Sequence, residues 1–167
     1  MASLMISVYR VCTTGTKRCR GAQGDRSVPL RDSRAPSSAL AAPRHVLFLK
    51  LIEQTDLVIE NFPPHYLTNM KLDFGTMQIY NPSLILTSIS PFGQTGPWSN
   101  YLADNLIISN LSGFSRIHPG PVNNLDDQPP LQLAAHQSEF IAGVTAAAAT
   151  SIAITKRLST GTGSHID

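Results

Sequence analysis

Two short segments carry side chains able to do chemistry where a parallel sheet would present them. Glu60-Asn61-Phe62 directly follows the apolar run at 56–60, and the loop 90–96 directly follows a second apolar run at 84–89. Carboxylate, amide and hydroxyl groups beyond the carboxyl ends of such strands are where open α/β sheets hold their ligands. The same residue types also build ordinary turns: Asn61-Phe62-Pro63-Pro64 stops a strand, and 91–97 holds two prolines and two glycines that exclude regular structure. The two cysteines, Cys12 and Cys19, have six residues between them, which matches no common zinc spacing, and no other thiol exists to pair with them. They read as incidental thiols, so the sequence offers no metal site and no disulfide-stapled secreted domain.

The elements that would position these segments follow from the hydrophobic pattern. Residues 45–52 read as a short helix packed on more than one side and ending near Gln54. A compact strand at 56–60 follows, then short helices from Tyr66 to Met70 and from Phe74 to Tyr80. Asn81-Pro82 marks a boundary before a second buried strand at 84–89. Strand, helix, strand at this spacing is the pattern of a right-handed parallel crossover and places the fold in the α/β class. Asp104 to Leu111 reads as a helix stopped by Gly113, and 116–131, with four prolines, as a long irregular connection. An Ala-rich helix spans about His136 to Leu158, closed by Lys156, Arg157 and Gly161. Its uncharged run at 140–155 is 16 residues of mostly Ala and Thr, against the roughly 20 strongly apolar residues of a membrane span. It reads as a buried, tightly packed helix, with no membrane involved.

Charge divides the chain. The 167 residues total +2, yet residues 1–50 hold nine basic side chains against two acidic ones, and residues 51–167 hold four against nine. A chain that is 42% hydrophobic is not wholly disordered, and an acidic larger part excludes a basic nucleic-acid binder. Residues 1–44 lack sustained periodicity and read as a disordered basic head ahead of an ordered unit at 45–167. Residues 1–24 carry Arg10, Lys17, Arg18 and Arg20 with no acid, the composition of an organelle transit peptide, with a disordered tail or sequence unrelated to the folded domain as the rival reading. The expected location is therefore cytoplasmic, or mitochondrial if that head is a transit peptide.

Taken in order, the segments resemble a known family. Asp56-Leu57-Val58-Ile59-Glu60-Asn61-Phe62, Asn81-Pro82-Ser83-Leu84-Ile85, Ser88-Ile89-Ser90-Pro91-Phe92-Gly93-Gln94-Thr95-Gly96-Pro97, Leu111-Ser112-Gly113 and Lys156-Arg157-Leu158-Ser159-Thr160-Gly161-Thr162-Gly163-Ser164-His165-Ile166-Asp167 resemble the family III (CaiB/BaiF-type) CoA-transferases. That group includes formyl-CoA transferases, carnitine-CoA transferases and 2-methylacyl-CoA racemases. The resemblance runs from about His45 to Asp167. It implies an incomplete Rossmann-like large domain with parallel strands and the long Ala-rich helix, and an interlocked homodimer in full-length members. It further implies acyl-CoA and a carboxylic acid as substrates, with no tightly bound cofactor.

The resemblance also assigns residues. The family's nucleophilic carboxylate, normally Asp, stands four residues before a glycine in the first turn of the long helix; here the glycine is Gly143 and the matching residue is Glu139. A carboxylate there faces the positive end of the helix dipole and free N–H groups, which suits an anionic nucleophile. Asn61 and Phe62 match positions that line the CoA site, and Tyr101-Leu102-Ala103 matches another contacting segment. His136, one turn before Glu139, reads as a polar residue at the helix start or as its orienting partner. Pro63 stands where the family often has Arg, and Asn69 where it has a basic residue, with Lys71 close by. Asp104 and Asn105 occupy the region of the racemase histidine, which disfavours racemisation. The family's opening strand, its adenine-binding segments and its glycine-rich loop have no counterpart. The leading expectation is CoA transfer between carboxylic acids through a covalent glutamyl-CoA thioester. The alternatives are a non-catalytic fragment or remnant of such an enzyme and, further off, an acyl-CoA racemase or isomerase.

Overall fold

Each apolar run bounded by turn formers becomes a strand, and each run with apolar residues at three- and four-residue spacing becomes a helix. The computed structural model describes residues 6–9, 27–28, 41–117, 129–132 and 134–167. In chain order these form β1 (Ile6–Tyr9), β2 (Ser27–Val28), α1 (Ala41–Ile52), β3 (Leu57–Glu60), α2 (Tyr66–Asn69) and α3 (Phe74–Tyr80). Then come β4 (Ile85–Ser88), α4 (Asn105–Leu111), α5 (Phe114–Ile117), α6 (Gln137–Thr160) and β5 (Ser164–Ile166). The strands make one sheet in the order β2-β1-β3-β4-β5. β3, β4 and β5 are parallel, with Leu57 opposite Ile85 and Ile85 opposite Ser164, whereas β1 runs antiparallel to both β3 and β2.

Strand alternation sorts the core onto two faces. Val58 and Leu86 point to one face, where they pack with Ile6, Leu49, Ile52, Phe62, Leu72, Met77 and Leu84 under α1 and α3. Leu57 and Ile85 point to the other and meet Ala153 of α6, with Ile59, Ile154 and Ile166 around them. Three polar devices hold the layers. Arg157 at the end of α6 pairs with Asp56 at 3.0 Å and donates to the Asp56 and Ser83 carbonyls at the amino ends of β3 and β4. The Asn81 amide donates to the Ile52 and Thr55 carbonyls, while its oxygen accepts from Ser83. Thr87 and Thr150 hydroxyls meet at 2.8 Å between β4 and α6.

Several expectations need correction. The head is not disordered throughout: Ile6–Tyr9 pairs along the whole of β3 and buries Ile6, Ser27–Val28 pairs with it, and α1 starts at Ala41 rather than His45. The segment Ile6-Ser7-Val8-Tyr9 lacks the unbroken apolar run of β3 and β4, and its place is fixed by the partner strand. α1 packs on one side only, through Phe48, Leu49 and Ile52, leaving Val46 and Leu47 exposed. α6 is not a buried helix: only Thr150 and Ala153 are buried, because the sheet touches its middle, and Phe140, Val144, Ile152 and Leu158 stand exposed. With 24 residues and a mean hydropathy of 1.3 in its most apolar stretch, α6 has the length and composition of a spanning helix, but Ala153, Thr150 and Arg157 seat it on the sheet. The irregular connection begins with α5, and β5 was not legible as a strand. The transit-peptide reading of 1–24 falls, apart from Ile6–Tyr9, outside the described residues, as do Cys12, Cys19 and residues 118–128.

Candidate functional site

β3, β4 and β5 run in one direction, so their carboxyl ends open together. There the inward-facing positions that follow Val58 and Leu86 by two residues are polar: Glu60 and Ser88. Glu60 is 3% exposed. Its carboxyl accepts from the Phe62 N–H at 2.6 Å and is hydrogen-bonded by the Ser88 hydroxyl. Burial pushes the Glu60 carboxyl above the usual carboxylate range, against the opposing pull of these two hydrogen bonds. Ser88 Oγ lies 2.9 Å from His165 Nε2, and the His165 ring stacks on Phe74 at 5.4 Å. Removal of the ring from water lowers the His165 pKa, while Asp167 acts in the opposite sense.

These groups line a cleft of about 320 Å³ with Thr68, Phe74, Gln94 and Thr95. The 90–96 loop is tied to the sheet by Asp167, whose side chain accepts from the Gln94 N–H at 2.7 Å. Gly93 takes φ 81° beside that carboxylate, a conformation that favours glycine. Asp73 caps α3 by accepting from the Thr76 N–H and hydroxyl, and the hydroxyl bond holds its carboxyl below the usual range. Among the described residues no three His, Cys, Asp or Glu side chains converge as a metal ion would require.

Glu139 stands elsewhere. It occupies the first turn of α6, its side chain 60% exposed, with His136 Nδ1 at 3.3 Å from its Oε1. α6 packs on the face opposite Val58 and Leu86 and runs against the strand direction: Arg157 meets the strands' amino ends and Thr150 meets Thr87. Eleven residues of helix separate Glu139 from Thr150, so the carboxylate projects roughly 16 Å along the axis toward and past the strands' carboxyl ends. The turn that carries it is anchored by Asn105, which is buried at the start of α4. The Asn105 amide donates to the Ala135 carbonyl at 2.8 Å, and its oxygen accepts from the Ser138 N–H at 3.2 Å and from the Ser138 hydroxyl.

The remaining expected residues split by environment. Asn61 is half-buried beyond β3. Phe62 is 2% exposed and stacks on Tyr66 at 4.6 Å, so its ring belongs to the core and only its backbone can face a ligand. Tyr101 is exposed and edge-on to Phe92, Leu102 is 90% exposed, and Ala103 is half-buried. The fold thus brings Asn61 and Phe62 to the cleft's edge through Glu60, while Glu139 belongs to the α4–α6 corner. Sequence reasoning missed Glu60, Ser88 and His165 as a cluster and Asn105 as an anchor. A Glu in phase with the buried Val58 of an otherwise apolar strand was the signal available for the first.

Comparison with known proteins agrees with this architecture. The model of CoA-transferase family III matches residues 41–167. A succinate–glutarate CoA-transferase of Agrobacterium fabrum is 30% identical over 87% of the chain and 33% of its own length. The alpha subunit of a succinyl-CoA–L-malate CoA-transferase of Chloroflexus aurantiacus is 34% identical over 72% of the chain and 27% of its own. The crystal structure of a CAIB/BAIF family protein from Brucella suis superposes with a TM-score of 0.64 and 29% identity, covering 74% of this chain and 31% of that one. The chain spans about a third of the length of the curated relatives it matches.

Proposed function

From the premise that this chain belongs to CoA-transferase family III, we propose that it moves CoA from an acyl-CoA thioester to a free carboxylic acid through a glutamyl-CoA thioester on Glu139. The carrying observation is a family match over 41–167 that includes a carboxylate in the first turn of α6, four residues before Gly143. The Glu139 carboxylate attacks the thioester carbonyl, forming a mixed anhydride and releasing CoA thiolate. The thiolate then attacks the glutamyl carbonyl, which frees the donor acid and leaves the glutamyl-CoA thioester. An acceptor carboxylate takes the acyl position by the reverse steps and regenerates Glu139. Dividing one transfer into successive acyl exchanges is the logic of covalent catalysis.

Around that step, the Asn105 anchor supports the role of the α6 first turn by fixing where Glu139 stands. Asn61, the backbone at Phe62, Tyr101, Leu102 and Ala103 are the proposed CoA contacts, and the exposure of Tyr101 and Leu102 is consistent with surface left for a ligand. The names of the Agrobacterium and Chloroflexus relatives make short dicarboxylic acids the first substrates to test. The uncovered apolar side of α6, with Phe140, Val144 and Ile152, supports the homodimer as part of the same reading. A cytoplasmic location, or a mitochondrial one with residues 1–24 as the address, completes it.

The test is formation of glutaryl-CoA from succinyl-CoA and glutarate, followed by mass spectrometry. Glu139→Gln is expected to lower the rate by about 10³-fold or more, since it removes the nucleophile itself, whereas Glu139→Asp retains turnover. Transfer that proceeds unchanged in Glu139→Gln would remove Glu139 from the mechanism.

A further inference from the structure

The cluster on the cleft side of the sheet has no part in the transfer chemistry assigned to Glu139, and its connectivity has a consequence of its own. Ser88 carries a single hydroxyl proton, yet it is bonded on one side to the buried Glu60 carboxyl and on the other to His165 Nε2. Two complete arrangements exist. In the first, Ser88 donates to the Glu60 carboxylate and accepts from an N–H at His165 Nε2. In the second, a protonated Glu60 donates to Ser88, Ser88 donates to His165 Nε2, and the imidazole carries its proton on Nδ1. Both satisfy every member, and in both Glu60 keeps its bond from the Phe62 N–H.

We propose that Glu60, Ser88 and His165 form a proton-sharing chain across the carboxyl ends of β3, β4 and β5 that fixes the Asn61–Phe62 turn and sets which nitrogen of His165 carries a proton. Glu60 is a positioning residue in this chain: it holds the backbone of the turn and acts on the cleft through His165. The charged and titratable groups around it are His65 from the start of α2, Asp73 from the start of α3, His165 from β5 and Asp167 beside β5; among the described residues that line the cleft, none is Lys or Arg. A cleft so lined has no fixed cation to hold Glu60 ionised, so burial favours the protonated carboxyl while the hydrogen bonds from Ser88 and Phe62 favour the ionised one. Protonation converts His165 Nδ1 from acceptor to donor, which would present a carbonyl or carboxylate with a hydrogen bond that the ionised state does not offer.

The chain can be tested without CoA, so its failure is separate from failure of the transferase reading. Ring-nitrogen NMR of the histidine-labelled 167-residue chain, with His165 assigned by its loss in His165→Gln, reads the tautomer directly. At mildly alkaline pH the wild type is expected to show the Nε2–H form. Glu60→Gln, whose amide must donate to Ser88 while its oxygen accepts from Phe62, is expected to switch His165 to Nδ1–H. In a Ser88→Ala background the same substitution is expected to leave the tautomer unchanged. An identical His165 tautomer in wild type and Glu60→Gln would overturn the proposal, as would a switch that persists without the Ser88 hydroxyl. Because Ser88→Ala removes one hydroxyl only, loss of the pH-dependent tautomer change in that single variant is a second test that does not require Glu60→Gln to fold.

Discussion

At the scale of single residues, the proposed chemistry rests on a carboxylate, and an amide sets where that carboxylate stands. The family resemblance singles out Glu139 by its spacing from Gly143, and its place in the first turn of α6 is legible because a helix start is a local feature. Asn105 is not, because its partners Ala135 and Ser138 lie about thirty positions along the chain and only the packing of α4 on α6 brings them together. Asn105→Ala would strip the Ser138 N–H and the Ala135 carbonyl of their partner in a part-buried setting, at about 1 kcal/mol. A denaturant titration should show that loss, and transfer activity should fall in step as the Glu139 turn loosens. The burial of Glu60 was hidden for the opposite reason: within an apolar strand it reads as the residue that ends it, and only the inward phase shared with Val58 marks it as buried.

At the scale of elements, α3 lies where the pattern near Phe74 to Tyr80 put it, and the structure shows the local cap that starts it: Asp73 accepts from the Thr76 N–H three positions on. Asp73→Ala should destabilise the fold by about 1 kcal/mol, measurable as a lowered melting temperature. β5 and β1 were not readable, since neither carries the unbroken apolar run of β3 and β4 and both are placed by the strand they pair with. Gly163 shows that dependence. Its backbone N–H bonds the Pro82 carbonyl, and a Cβ in its place would overlap the Leu84 carbonyl. Gly163→Ala should therefore push β5 from β4 and expose the β4 amides that face it, an outcome that hydrogen exchange at Leu86 and Ser88 would record. α6 misled the sequence reading in a different way. Its apolar run implied burial, but a sheet with three parallel strands covers only the stretch around Thr150 and Ala153.

At the scale of the whole molecule, the two faces of the sheet carry different work: α6 and α4 present Glu139, while α2 and α3 enclose the Glu60 cleft. The cleft makes stability depend on pH. Glu60 titrates above its ordinary value in the folded chain, so from about pH 4.3 upward the unfolded state gives up a proton that the folded state keeps, and stability falls as pH rises through that window. His165 is shifted down, so its contribution is present above about pH 6.5 and is lost as pH falls through its folded pKa. Denaturation series at several pH values should find Glu60→Gln gaining on the wild type as pH rises through the Glu60 window; a constant difference would contradict it. The parallel pair of strands and the long helix were legible because periodicity fixes them; the sheet edges and the cleft were not, because they arise from pairing and register. The central claim concerns one covalent bond, and its most direct test is trapping. The chain is incubated with succinyl-CoA, quenched with hydroxylamine, digested and read by mass spectrometry. The account predicts a hydroxamate on Glu139, absent without the thioester; an unmodified Glu139 peptide recovered while CoA transfer proceeds would contradict it.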